Sequence, residues 1–144
     1  MIKTEIKYDD LIGVPFLHKG RDKKVGLDCL GLILIVYRRE GIAIDDPCSD
    51  YDEDWCKSPE KGNPILENYH ANWRKLRVCE RPEVLDAVLF GSEVDYPIHI
   101  GIVVGEDRVL HCAKNYGVVM SRVSRLGKII HGYYRLKELD KKDD

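Results

Sequence analysis

Six apolar residues in a row, Leu32-Ile33-Leu34-Ile35-Val36-Tyr37, follow the segment Gly26-Leu27-Asp28-Cys29-Leu30-Gly31. No polar stripe interrupts them. A helix that is apolar on nearly every side has to be covered all round, so this one belongs at the centre of the fold, beneath a sheet and other elements. Asp28 is of a type that starts helices and Gly41 of a type that stops them, which predicts a helix from about Asp28 to Glu40. Cys29 then falls in the first turn. Backbone N–H groups point outward there, and the helix dipole favours a thiolate.

The patterning changes along the chain. Tyr8-Asp9-Asp10-Leu11-Ile12 reads as the end of a short helix, and a polar loop runs from His18 to Val25. Six of the ten residues from Asp45 to Asp54 are acidic, with Tyr51 inside and Trp55 just after. That stretch reads either as a solvated loop or as a rim over a site. Ile65, Leu66, Tyr69, Trp73 and Leu76 recur at helical spacing and predict a second helix from Ile65 to about Leu76. From Val84 onward the pattern is of strands: Val84–Phe90, Ile98–Val104, Arg108–Ala113, Gly117–Val123 and Gly132–Leu136. The expected fold class is α+β, a central cysteine-bearing helix on an antiparallel sheet of about five strands. One domain, 1–144, is expected, with a charged tail from Lys137 to Asp144 that frays.

Composition excludes several classes. The formal net charge of -2 argues against a nucleic-acid partner, which calls for a basic face. The apolar run is too short to span a bilayer, so no membrane partner is expected. Met1-Ile2-Lys3-Thr4-Glu5-Ile6-Lys7 has no apolar signal core, and the expected location is the cytoplasm. Five cysteines, an odd number with no CxxC pair, suit a reduced compartment rather than a disulfide framework. In a strand His111 and Cys112 point to opposite faces and cannot share one ion, so neither a metal nor a cofactor is expected. Cys48, Cys56, Cys79 and Cys112 read as small buried or half-buried thiols.

Geometry nominates a site. A turn near residues 105 to 107 puts His99 and His111 on adjacent strands. If the loop holds an odd number of residues, they share a face at roughly 5 to 8 Å. Gly101, on the same face, leaves room beside them. A cysteine at a helix start plus strand histidines is the layout of a thiol hydrolase. The expected roles are Cys29 as nucleophile, His99 as base and His111 as the group that orients the base. The Cys29 sulfur is expected within about 3 to 5 Å of a His99 ring nitrogen, with His111 on the ring's other side. The Cys29 amide is placed to help bind an oxyanion. Cys29 is expected to alkylate fastest of the five thiols near neutral pH.

These segments carry a resemblance. Gly13-Val14-Pro15-Phe16, leading through Lys19-Gly20-Arg21 to Gly26-Leu27-Asp28-Cys29-Leu30-Gly31-Leu32, resembles the nucleophile segment of the NlpC-type cell-wall cysteine peptidases. Asp86-Ala87-Val88-Leu89-Phe90 is similar to the family's first core strand, and His99-Ile100-Gly101-Ile102-Val103-Val104-Gly105 to its histidine strand. Val109-Leu110-His111-Cys112-Ala113 resembles the strand with the third polar residue, and Gly132-Tyr133-Tyr134-Arg135 the closing strand. The resemblance implies a papain-like fold. It also implies hydrolysis of amide bonds in peptidoglycan stem peptides, between D-glutamate and a diamino acid. Carried over, Cys29, His99 and His111 form a Cys-His-His triad, and Phe16, His18 and Asp28 are substrate-contacting candidates. The form without a signal peptide is similar to the phage-tail branch, with tail proteins as partners. Where the family commonly has tyrosine upstream of the cysteine, this chain reads Phe16-Leu17-His18, and Leu30 stands where serine is common. Two alternatives stay open: a non-catalytic tail assembly component, and a thiol amidase or acyltransferase on the same fold.

Overall fold

In the computed structural model, which describes residues 8–44, 46, 51–52, 55–57, 63–66, 72–91, 98–126 and 129–142, Asp28 caps the helix α1 (Cys29–Arg39). Its carboxylate accepts from the Gly31 amide at 2.8 Å. Arg38 and Arg39 close the last turn, where cations suit the dipole, and Gly41 follows at φ +77°, a backbone shape that glycine adopts freely. Of the apolar run only Ile35 is not fully buried. Leu11 and Tyr8 pack in the same core cluster, and the Tyr37 hydroxyl donates to the Leu85 carbonyl oxygen at 2.8 Å.

Two short strands, β1 (Arg21–Asp22) and β2 (Gly26–Leu27), form a small hairpin before the helix. A Cβ added at Gly31 would overlap the Gly20 carbonyl oxygen, so glycine at 31 lets this hairpin's approach lie against the first helical turn. That close approach brings Lys19 and Arg21 up to Asp28.

The main sheet has six strands: β3 (Trp73–Lys75), β4 (Ala87–Phe90), β5 (His99–Gly105), β6 (Arg108–Ala113), β7 (Gly117–Arg122) and β8 (Ile130–Leu136). Their order is β3-β8-β4-β5-β6-β7, and every pair is antiparallel. Alternation sorts the side chains. Leu89, Ile100, Ile102, Leu110 and Cys112 join the core shared with α1, whereas Val88, Phe90, Val103 and Val109 form a second cluster on the opposite face. A buried ion pair, Arg135 to Asp86 through two bonds of 2.9 Å, ties β8 to the entrance of β4.

Three expectations change. Residues 64–66 are helical and 67–71 lie outside the described residues, but Trp73–Lys75 is a strand, not the end of a helix. It pairs with β8, Trp73 opposite Leu136 and Lys75 opposite Tyr134, and makes the sixth strand where about five were expected. Three residues are too few for a period of two to show, so the apolar spacing passed for helical. The charged tail carries regular structure: Lys137–Lys142 is a short helix, α2, and Leu139 packs into the main core. Residues 9–13 form turns rather than a helix end.

Candidate active site

The polypeptide around Cys29 is held by one carboxylate. Asp28 is buried and takes four donors: the Gly31 amide, Arg21 Nη1 at 2.8 Å, the Lys19 amide at 3.0 Å and the Tyr51 hydroxyl. Arg21 also reaches Asp46, through Nε at 2.9 Å and Nη2 at 3.1 Å, and donates to the Tyr51 hydroxyl at 3.1 Å. Tyr51 is thereby fixed over the helix start, with the His18 ring edge-on to it at 5.3 Å.

The sheet supplies the imidazoles. In the β5–β6 register Gly101 lies opposite His111, which puts His99 two residues further along the same face. His99 Nε2 and His111 Nδ1 are 2.8 Å apart. The rings pack against Phe90, with centroids at 5.3 Å for His99 and 5.7 Å for His111. A Cβ at Gly101 would stand 3.1 Å from His111 Cβ and 2.8 Å from Val109 Cγ2, so the space beside the pair depends on glycine. His111 Nε2 lies 2.9 Å from Ser121 Oγ on β7.

Cys29 and His99 line one cleft, with about 90 Å³ of it open to water. They come to it from different sides of the sheet. α1 covers the face of Ile100 and Cys112, while His99 belongs to the face of Phe90 and Val103, and the two meet at the end of the sheet where β5 begins. No hydrogen bond joins the Cys29 sulfur to the His99 ring among the described residues. Phe16, His18 and Asp28 also line the cleft. Asp28, with four donors already on its carboxylate, shapes the cleft rather than offering it a free acceptor. His111 stands behind His99, outside the cleft wall. Of the other histidines, His70 lies outside the described residues, and His131 lies on β8 away from this cleft.

Leu30, Tyr51, Trp55, Ile98, Cys112 and Lys114 complete the cleft wall and were not expected as site residues. The acidic stretch therefore contributes to the rim through Tyr51, although most of it lies outside the described residues. Ser121 was also missed. Its signal was the second hairpin, whose register sets Val119 opposite His111 and Ser121 two positions on.

The electrostatics reverse one expectation. Burial pushes the Cys29 thiol up, the Asp28 carboxylate adds to this, and a backbone hydrogen bond from Ile100 offsets only part of it. Burial, and then His111, push His99 down to about 3, and burial pushes His111 down as well. Burial thus disfavours the charged form of both groups. Iodoacetamide is accordingly expected to label exposed Cys79 before Cys29 at pH 7, with Cys29 labelling still rising above pH 9. A Cys29 plateau at neutral pH, read by mass mapping, would instead show a preformed ion pair. His99 has the matching effect on stability. The unfolded chain binds a proton there near pH 6.5 and the folded chain only near pH 3, so the contribution from keeping His99 neutral is fully present above about 6.5 and is lost as pH falls toward 3.

Among the described residues no group of three His, Cys, Asp or Glu side chains is placed to hold a metal ion, and no helix is long and apolar enough to cross a membrane.

The model of the NlpC/P60 family matches residues 13–132. Among solved structures, an NLP/P60 family protein described as similar to lipoprotein, from Staphylococcus aureus subsp. aureus Mu50, superposes with a TM-score of 0.60 at 18% identity, covering 92% of this chain and 43% of that one. An NlpC/P60 family protein from Bacillus cereus ATCC 10987 gives 0.61 at 15% identity, over 87% and 36%. The NlpC/p60 domain of the peptidoglycan hydrolase SagA gives 0.56 at 19% identity, over 86% and 87%. The chain thus spans less than half the length of the first two. No curated protein of similar sequence was found.

Proposed function

This chain belongs to the NlpC/P60 family, and on that premise we propose that it is a cysteine peptidase that hydrolyses peptidoglycan stem peptides at the bond between D-glutamate and a diamino acid. The observation that carries the reading is the shared cleft of Cys29 and His99, with His111 hydrogen-bonded behind the base. The SagA domain, described as part of a peptidoglycan hydrolase, supports the substrate class.

In this reading the thiol gives its proton to His99 as its sulfur attacks the substrate carbonyl carbon. Because burial disfavours charge on both groups, proton transfer accompanies attack instead of preceding it. Asp28 takes the Gly31 amide, which leaves the Cys29 amide to face the oxyanion as charge develops on it. His99 returns the proton to the departing amine, and a thioester remains on Cys29. Water, deprotonated by His99, then attacks the thioester carbon and frees the carboxylate and the thiol. Phe16 supplies an apolar wall for the substrate. His18, edge-on to Tyr51, offers a ring N–H near the place where relatives carry tyrosine. Asp28 acts through the residues it holds.

Digestion of defined muropeptides, with products identified by mass, tests this. The expected products are a new carboxyl terminus on D-glutamate and a new amino terminus on the diamino acid. Transfer to an added amine in place of water would mark an acyltransferase, and no product from any muropeptide would overturn the peptidase reading. The setting we propose, on the sequence resemblance alone, is a phage tail. Finding the protein absent from purified virions would remove it.

A further inference from the structure

We propose that Ser121 is a positioning residue that fixes which nitrogen of His99 serves as the base. The proposal rests on the reading of Cys29 and His99 as nucleophile and base. His99 Nε2 and His111 Nδ1 are 2.8 Å apart, and His111 Nε2 and Ser121 Oγ are 2.9 Å apart. The three residues sit on β5, β6 and β7. Each step across the sheet advances two positions along the same face, from His99 to His111 beside Gly101, and from His111 to Ser121 beside Val109.

A neutral imidazole carries one N–H. Suppose that His111 donated its Nδ1 proton to His99 Nε2. The proton of His99 would then sit on Nδ1, the one ring nitrogen left for the thiol, and the Cys29 proton would have no acceptor. Only the opposite direction makes a base. His99 Nε2–H donates to His111 Nδ1, and His111 Nε2–H must then find an acceptor. Ser121 Oγ is that acceptor. The hydroxyl's own proton is not committed by this bond, because Ser121 is half-exposed and its hydroxyl rotates. The same direction serves the next moment of the reaction. When His99 takes the thiol proton on Nδ1, its Nε2–H already points at the His111 lone pair. The new positive charge is shared toward Ser121 without any ring turning over. Phe90, packed on both imidazoles, keeps the rings from flipping to another pairing.

The test combines a spectroscopic and a kinetic readout. Nitrogen-15 NMR of histidine-labelled protein near pH 7 is expected to show His111 protonated on Nε2 and His99 protonated on Nε2. In Ser121→Ala the His111 proton redistributes between its two nitrogens, whereas Ser121→Thr, which keeps the hydroxyl, retains the wild-type pattern. With muropeptide substrate, Ser121→Ala is expected to lower kcat about tenfold with KM little changed, the effect of one polar contact on a half-buried ring, and Ser121→Thr to restore it. His111 protonated on Nδ1 in the wild type, or a Ser121→Ala protein with unchanged tautomers, overturns the proposal. So does an active Ser121→Ala enzyme with unchanged kcat. If the wild type cleaves no muropeptide, the peptidase reading fails by itself, and the nitrogen spectra still decide the role of Ser121.

Discussion

Cys29→Ala is expected to abolish muropeptide cleavage, a fall of about 10⁴-fold or more, since the step that makes the thioester has no substitute nucleophile. Cys112 shares the cleft but does not stand in. Its sulfur donates to the Leu27 carbonyl oxygen at 3.0 Å, and burial pushes its thiol up to about 12. The fold should survive the change, because removing one small buried sulfur at the end of a helix costs about 1 kcal/mol. His99→Ala is expected to lose nearly as much activity, as nucleophile and base act as a unit. Circular dichroism and a thermal melt on the same samples separate lost chemistry from lost structure. A folded Cys29→Ala protein that still releases the cleaved stem peptide would remove the thiol from the mechanism.

The central helix was legible because its signal is local. Asp28, the apolar run and Gly41 lie within fifteen residues, and the cap and burial follow from side-chain chemistry alone. The five long strands were legible for the same reason, and the even sum of paired positions across the Gly105 turn put His99 and His111 on one face. What was not legible depends on distant contacts. β3 is three residues long and is made a strand by the open edge of β8, some sixty residues away. Ser121 enters the site only when two hairpin registers are added together. Nothing near Asp28 in sequence announces that Tyr51, 23 residues on, donates to its second oxygen. The protonation of Cys29 was read from the helix dipole, a local effect, whereas depth of burial, which pushes its thiol up, is set by the whole fold.

Asp28→Ala is expected to be the most destabilising change at the site. It removes the helix cap, worth about 1 kcal/mol, and strips acceptors from the Lys19 amide and the Tyr51 hydroxyl, each about 1 kcal/mol or more when buried. Arg21 is spared an unpaired charge because Asp46 still binds it through Nε and Nη2. The expected loss is about 3 kcal/mol, seen as a fall in Tm of about 10 °C. Asp28→Asn separates the two things the carboxylate does. Asparagine is also a good helix cap, so the Gly31 bond and much of the stability remain. Its charge is gone, however, and that charge helps to hold the Cys29 thiol protonated. Asp28→Asn protein is therefore expected to alkylate at Cys29 faster than wild type at pH 7 while hydrolysing muropeptides more slowly, since Tyr51 and the cleft wall beside it lose their ionic anchor. Faster alkylation together with faster hydrolysis would mean that the carboxylate only restrains the nucleophile. Unchanged alkylation would mean that burial alone keeps Cys29 neutral.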